Sequence, residues 1–328
     1  MTSVVQIVPS LPPPLEGVGS YALSLAAALR SHCGIESSFV AAATLPAKTP
    51  EALRAALEPG ATALLHYVGY GYHPRGCPDW LVDGLEGWKG RLVTVFHEVW
   101  ATGPPWTSSF WLSPRQRRLA GRLARRSDGL LTSMTLYRRR LLRHSPGREV
   151  VVMPVFSTVG EPAQLPLIEL RAPRLVLFGG PGTRSRAYRH LRADLEHTCE
   201  ALGLAEIQDI GPSTKGVPDT IAGRPVRRLG PLPDAEVSRL LLEAAAGFVA
   251  YPAPFLAKST IFAAYCAHGM LPVSAWHRPR RKVEPPPPFW RPVEAVRDSV
   301  QEVADRARAW YSPHSIDRCA AAYRELLE

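Results

Sequence analysis

The stretch Arg91–Trp100, RLVTVFHEVW, carries the most concentrated chemistry in the chain. Leu92, Val93, Val95 and Phe96 make an apolar, β-branched run without helical period, which predicts a strand buried on both faces. The run stops at His97-Glu98, and turn residues follow in Thr102-Gly103-Pro104-Pro105. In parallel α/β sheets, ligands gather beyond the carboxyl ends of the strands. A neutral imidazole placed there can take a proton near neutral pH and a carboxylate beside it can orient it, so His97 and Glu98 are the catalytic candidates.

Four other groups have residue types suited to a ligand. Leu65-His66-Tyr67-Val68-Gly69-Tyr70-Gly71-Tyr72 reads as a strand end running into an aromatic, glycine-rich loop. Its hydroxyl-bearing rings suit a sugar, with packing as the other reading of such tyrosines. Gly179-Gly180-Pro181-Gly182-Thr183-Arg184-Ser185-Arg186 follows a strand and opens a helix, the order of a phosphate cradle, with Arg184 and Arg186 placed to neutralise a diphosphate. It matches neither a dinucleotide GxGxxG nor a GxxxxGK[ST] loop. Lys258-Ser259-Thr260 stands at a further helix N-terminus, where a cation and hydroxyls can hold a phosphate and where N-capping by Ser259 is the plainer alternative. Gly17-Val18-Gly19-Ser20 poses the same choice at the first helix, between close approach to an anion and a tight turn with a serine cap.

Strand and helix patterns alternate around these groups. Strands are predicted at Thr2–Val8, Ser37–Ala42, Ala61–Tyr67, Arg91–Trp100, Gly129–Ser133 and Arg148–Pro154, with helices at Gly19–Arg30, Pro50–Leu57, Pro78–Trp88 and Pro114–Arg126. Ser157–Pro173 has the Pro, Gly and Glu content of a linker. The alternation restarts with strands at Arg174–Phe178, Glu206–Ile210, Arg224–Leu229, Gly247–Tyr251 and Leu271–Ser274, and helices at Asp234–Ala245 and from Lys258 to about Ala267, closed by Gly269. Pro285–Pro288 reads as extended, and Val293–Trp310 and Ser312–Leu327 as closing helices. Two α/β domains follow from that restart, in a chain of 328 residues that exceeds what one core usually serves.

Composition narrows the class. Five scattered cysteines without a CxxC pair argue against a disulfide framework or thiolate zinc site, and His97-Glu98 alone lacks zinc-site spacing. Met1–Ser10 lacks the basic lead-in and cleavage site of a signal peptide, and no apolar run is long enough to span a bilayer, so a cytoplasmic protein is expected. The net charge of +10 suits an anionic ligand or surface. In Pro114–Arg126, Arg115, Arg118, Arg122 and Arg125 are spaced to share one face and Leu119 and Leu123 another, a pattern that fits either a solvated helix or peripheral contact with an anionic membrane. Arg138-Arg139-Arg140 and Arg143 add to it, and without a reading motif no nucleic-acid partner is expected.

The chain resembles the sugar-nucleotide glycosyltransferases of the GT-B fold, in particular the family 4 group. The resemblance lies in Gly17-Val18-Gly19 before the first helix, Thr94-Val95-Phe96-His97-Glu98, Val176-Leu177-Phe178-Gly179-Gly180, Leu229-Gly230 before a helix, and Ala267-His268-Gly269-Met270-Leu271-Pro272-Val273. The family's usual pair of glutamates is lacking, since their places fall near Leu256 and Ala264. The resemblance implies two Rossmann-like α/β/α domains facing each other across a cleft: an acceptor domain over 1–156, a linker over 157–173 and a nucleotide-sugar domain over 174–328, whose last helix packs back towards the first. It implies metal-independent transfer of a sugar from a nucleotide-activated donor, a nucleoside diphosphate sugar serving as co-substrate with no other cofactor. The acceptor is a hydroxyl of a glycan, lipid-linked sugar or small molecule. Donor-binding residues would be Gly17, Gly19, Gly180, Arg184, Arg186, Leu229, Lys258, Ser259 and Thr260; acceptor-binding residues His66, Tyr67 and Tyr70. A subunit of the same fold that binds nucleotide sugar without catalysis is the alternative.

Overall fold

The computed structural model describes residues 3–12, 17–275, 285–292 and 299–328, which form two compact units, Met1–Pro154 with Ile316–Glu328, and Val155–Ser315. In the first unit the order is β1 (Ser3–Val8), α1 (Gly17–Cys33), β2 (Glu36–Ala41), α2 (Pro50–Ala55), β3 (Thr62–Tyr67), α3 (Gly69–Tyr72), α4 (Asp79–Gly87), β4 (Arg91–Phe96), α5 (Ser108–Arg126), β5 (Gly129–Thr132), α6 (Thr135–Leu142) and β6 (Val151–Val152). The strands make one sheet of order β2-β1-β3-β4-β5-β6, every pairing parallel. Helices cover parallel sheets on both faces, which is why β3 and β4 are buried almost throughout and carry no alternation.

The second unit runs β7 (Ala172–Phe178), α7 (Pro181–His190), α8 (Arg192–Ala201), β8 (Glu206–Ile210), β9 (Thr220–Ile221), β10 (Arg224–Gly230), α9 (Asp234–Glu243), β11 (Ala244–Phe248), α10 (Thr260–Ala267), β12 (Leu271–Val273) and α11 (Val300–Tyr311). Its sheet has the order β12-β11-β7-β8-β10-β9, parallel except for the short β9 hairpin partner. The last helix, α12 (Ile316–Leu327), belongs to the first unit and packs on α1, where the buried Tyr21 and Tyr323 hydroxyls lie 3.1 Å apart. Local chemistry fixes several helix starts: Thr49 caps α2 ahead of Pro50, and Ser299 and Glu302 form a capping box at α11.

Several sequence expectations shift. The segment 157–173 is part of the second unit, not a spacer: Ile168 lies in its core, and Arg171 is buried against the carbonyls of Pro166, Leu241, Ala244 and His268. The glycine-rich tyrosine stretch contains the helical turn α3, and α5 begins at Ser108, six residues before Pro114. The strand expected at Gly247–Tyr251 starts three residues earlier, because α9 ends at Glu243 and β11 follows directly. Only Val151–Val152 pair within Arg148–Pro154. Residues 2, 13–16 and 293–298 of the expected strand, first loop and closing helix lie outside the described residues.

Two histidines are neutral structural groups in the second unit. Burial pushes the pKa of His268 and of His314 down to about 4 from the ordinary 6.5. His314 packs against the rings of Trp310 and Tyr311, at 4.4 and 5.2 Å between centroids. The unfolded chain therefore takes up these protons first as pH falls. Stability is fully present above 6.5 and lost towards pH 4, by about 3 kcal/mol at most per histidine. Melting temperature measured across that interval should fall steeply, and His314→Phe, which cannot titrate, should make the fall shallower.

Candidate functional site

In the first sheet the chain reverses direction of growth between β1 and β3, so the carboxyl ends of these strands and of β4 flank the topological switch point. Gln6, His66 and His97 meet there. Gln6 and His66 are fully buried, and His97, one residue beyond β4, is half-buried. The Gln6 amide nitrogen donates to Ser37 Oγ at 3.0 Å, which turns its Oε1 to His66 Nε2 at 2.8 Å. An amide oxygen only accepts, so His66 carries its proton on Nε2 and presents the Nδ1 lone pair. That lone pair faces His97 Nε2 at 3.1 Å. His97 accordingly donates from Nε2, so that in the neutral ring the lone pair lies on Nδ1.

Burial, and then the neighbouring His97, hold the pKa of His66 well below the ordinary value, so it stays neutral and its tautomer is stable. The two imidazoles stack at 5.3 Å and 17°, and Tyr21 of α1 packs its edge on both. The sequence reading missed Gln6 and Tyr21. A lone amide inside an otherwise apolar strand is the signal that marks Gln6; nothing local marks Tyr21, whose place is set by α12.

The acceptor residues divide. His66 is buried and reaches a ligand only through His97. Tyr67 is also fully buried, against Phe96 at 5.2 Å, because it points into the core as the last residue of a strand covered on both faces; its hydroxyl has no partner among the described residues and burial raises its pKa. Tyr70 remains exposed, its hydroxyl accepting from Gln116 at 3.2 Å. Glu98 is half-buried beside His97, with both backbone N–H groups directed at Tyr67 O. Gly17 opens α1 with open space around it, whereas a Cβ on Gly19 would lie 2.5 Å from Ser10 O, so that glycine is required by the turn itself.

In the second sheet the switch lies between β7 and β11. Gly179 has φ +120° and a Cβ there would lie 2.3 Å from Ile261, which sets the β7–α7 turn against the start of α10. Gly180 caps α7 and is exposed. Half-buried Arg186 donates to Ala250 O at 3.4 Å, from α7 to the end of β11. Lys258 and Thr260 flank Ser259, whose side chain accepts from Phe262 N at 3.2 Å and so serves as the α10 cap. Leu229 is half-buried beside Gly230, whose carbonyl accepts from Gly211 N at 2.8 Å. The glycine turn and the start of α10 are thus brought together, with Arg186 reaching the segment that follows β11. Leu256 and Ala264 are both fully buried.

Arg184 is reassigned. Its side chain is 2% exposed, paired with Asp209, and donates to Gly179 O at 2.9 Å and to Pro212 O. Asp209 also accepts from Tyr188 at 2.7 Å. Four residues into α7, this position faces the sheet, so the guanidinium ties the glycine turn to the end of β8 in place of meeting a ligand. Among the described residues no three His, Cys, Asp or Glu side chains gather as a metal site requires.

No protein-family model matches this sequence, and no curated protein does. Solved structures do. An α,α-trehalose 6-phosphate synthase from Burkholderia multivorans aligns with a TM-score of 0.56 at 11% identity, covering 100% of this chain and 96% of that one. A UDP-GlcNAc 2-epimerase from Neisseria meningitidis bound to UDP-GlcNAc gives 0.56 at 11%, covering 100% and 99%. An α-glucosyltransferase in complex with UDP-glucose and DNA gives 0.53 at 13%, covering 100% and 95%. The chain has the GT-B fold. At such identities the likeness speaks for fold alone, and a DNA complex among these structures removes any support from the fold for excluding nucleic acid as a partner.

The reassignment of Arg184 is testable. Removing one member of a buried ion pair leaves the other charge stranded, at a cost of about 3–5 kcal/mol. Urea unfolding of Arg184→Met should show a loss of that size. A stability near that of the unaltered chain would return Arg184 to the ligand-facing set.

Proposed function

We propose that this chain transfers a glycosyl group from a nucleoside diphosphate sugar to an acceptor hydroxyl. The observation that carries the reading is the Gln6–His66–His97 chain at the switch point of a GT-B unit, which fixes one imidazole with its lone pair on Nδ1. In this reaction the acceptor O–H proton passes to His97 Nδ1, the acceptor oxygen bonds to the anomeric carbon, and the bond from that carbon to the diphosphate oxygen breaks. Negative charge grows on the departing diphosphate, and groups that meet it without reorganising lower the barrier. The α7 N-terminus at Gly180, Arg186, and Lys258 with Thr260 at α10 are the groups suited to it.

Within this reading Glu98 is a positioning residue beside His97, and Tyr70 is the exposed acceptor-side ring. His66 acts through His97 and is a positioning residue too. Gly17 and Leu229 would offer backbone to the donor.

The first experiment is a thermal-shift series of the whole chain with UDP, GDP, ADP, TDP and CMP and their sugars, because a ligand specific to the native state raises its melting temperature. One base should give a clear shift, weakened in Arg186→Ala and Lys258→Ala. Labelled-sugar transfer with that donor should then fall about 10²–10⁴-fold in kcat in His97→Ala, the usual worth of a general base. His66→Leu should also lose kcat with little change in donor KM, while His66→Gln, whose amide oxygen can again accept from His97 Nε2, should recover part of it. Binding without transfer would leave the nucleotide-sugar-binding subunit as the reading, and conversion of the free sugar nucleotide without an acceptor would make the chain an epimerase.

A further inference from the structure

Helix α5 carries two rows of arginine that differ in what they face. Arg115 pairs with Asp79 of α4 at 3.0 Å, Arg122 with Asp83 and Glu86 at 2.7 and 2.5 Å, and Arg126 donates to the carbonyls of Leu85, Trp88 and Gly90. This row fastens α5 to α4 and is spent within the fold, which corrects the single face Arg115–Arg118–Arg122–Arg125 expected from spacing. The other row turns outward. Arg117, Arg118 and Arg125 line, with Pro114, Gly121 and His144, a shallow groove of about 360 Å³, and Arg125, still exposed, donates from one Nη to His144 O at 2.9 Å. No carboxylate lies within 4.0 Å of these three guanidinium groups among the described residues.

The groove continues into exposed aromatic surface. Trp111, Pro114, Arg118, Gly121 and Arg125 recur at three- and four-residue steps and so form one stripe along the helix, about 21 Å long by the rise per residue. Phe110 and Arg117 stand beside it. Trp106 is 84% exposed, Trp111 72% and Phe110 42%, three of the seven large apolar side chains with such exposure among the described residues, gathered within six positions. Trp111 already donates its indole N–H to Pro105 O at 2.8 Å, so what its ring leaves uncovered is apolar. Phe110 and Trp111 stand at 85° to each other and offer no common flat face on which successive bases would stack. Next to the groove, Arg117 and Arg140 lie over the ring of Trp100, and Arg138, Arg139 and Arg143 of the α6 region are exposed.

We propose that this stripe docks the first unit on an anionic lipid bilayer, with Trp106, Phe110 and Trp111 entering the boundary between headgroups and acyl chains. Arg117, Arg118 and Arg125 take lipid phosphates along the groove. Tryptophan and phenylalanine at one end of a cationic helix lie in that boundary by their own partition preference, and each arginine near the surface adds attraction to anionic lipid. Among the described residues no helix is long and apolar enough to cross a membrane, so the contact is peripheral. It is independent of the glycosyl-transfer reading, since none of its residues belongs to either candidate cluster.

The test is co-sedimentation of the full chain at physiological salt with vesicles of phosphatidylcholine alone or mixed with phosphatidylglycerol. Binding to the mixed vesicles alone is expected. Trp106→Ser with Trp111→Ser, at positions exposed enough to leave folding intact, should weaken it about tenfold or more, as should Arg117→Glu with Arg118→Glu and Arg125→Glu. Arg118→Lys should keep most of the binding, and all variants are checked for an unchanged melting temperature. No sedimentation with phosphatidylglycerol vesicles overturns the proposal. So does binding that the tryptophan pair leaves unchanged while a single-stranded oligonucleotide or inorganic phosphate at equal ionic strength competes it away, for the stripe would then be a site for soluble anions.

Discussion

In an open, mostly parallel sheet the connecting helices lie on opposite faces to either side of the point where the strand order reverses, and a crevice opens there beyond the carboxyl ends of the strands. Both sheets of this chain obey that constraint, and the polar groups with ligand chemistry stand where it leaves room: Gln6, His66 and His97 at the β1/β3 switch, and Gly180, Arg186 and Lys258–Thr260 at the β7/β11 switch. The central strands β3 and β4 are otherwise apolar and buried almost throughout. The rest of the structure serves these two edges. α12 crosses to the first unit to brace Tyr21, which in turn packs the histidine pair, and the turn at Gly179 is held by a guanidinium brought from inside the second unit.

Burial separates the arginines that build the protein from those that can act. Arg171 has its pKa pushed down to about 10 by burial and still donates to four carbonyls, two of them at the α9–β11 junction. Arg184 has an aspartate and two carbonyls. A guanidinium so engaged pre-orients backbone and is unavailable to a solute, whatever its place in a phosphate-loop pattern. The same distinction runs along α5, where residues a single helical turn apart face either the acidic edge of α4 or solvent.

Much of the fold was legible. Long β-branched runs such as Leu92–Phe96 marked their strands, although β4 ends at Phe96 and not at Trp100, and Ser259, Gly269 and the restart at Arg174 marked boundaries that the structure keeps closely. Shifts arose where two elements abut without a turn, as α9 and β11 do, because no residue between them breaks the pattern. At the site, His97 was legible from its place past a buried run. The depth of Tyr67 and Arg184 was not, since period alone fixes a face but not what covers it. Gln6 needs the register of β1 against β3 before its amide finds His66, sixty positions away.

The two edges differ in the kind of charge they can hold, and that difference follows from cost. Glycosyl transfer asks for a proton acceptor at one oxygen and for positive potential at another. A carboxylate kept ready beside the core of the first unit would need desolvation repaid by a paired cation, whereas an imidazole hydrogen-bonded to the buried, neutral His66 and through it to an amide can take a proton without a buried charge waiting there. In the second unit the groups proposed for that potential are the N–H groups at the starts of α7 and α10, fixed dipoles that are already part of the fold, together with half-buried Arg186. Both solutions avoid stranding a full charge in the sheet interior when no ligand is bound. The buried charge pair there, Arg184 with Asp209, is closed on itself by Tyr188 and two carbonyls, and so steadies the glycine turn.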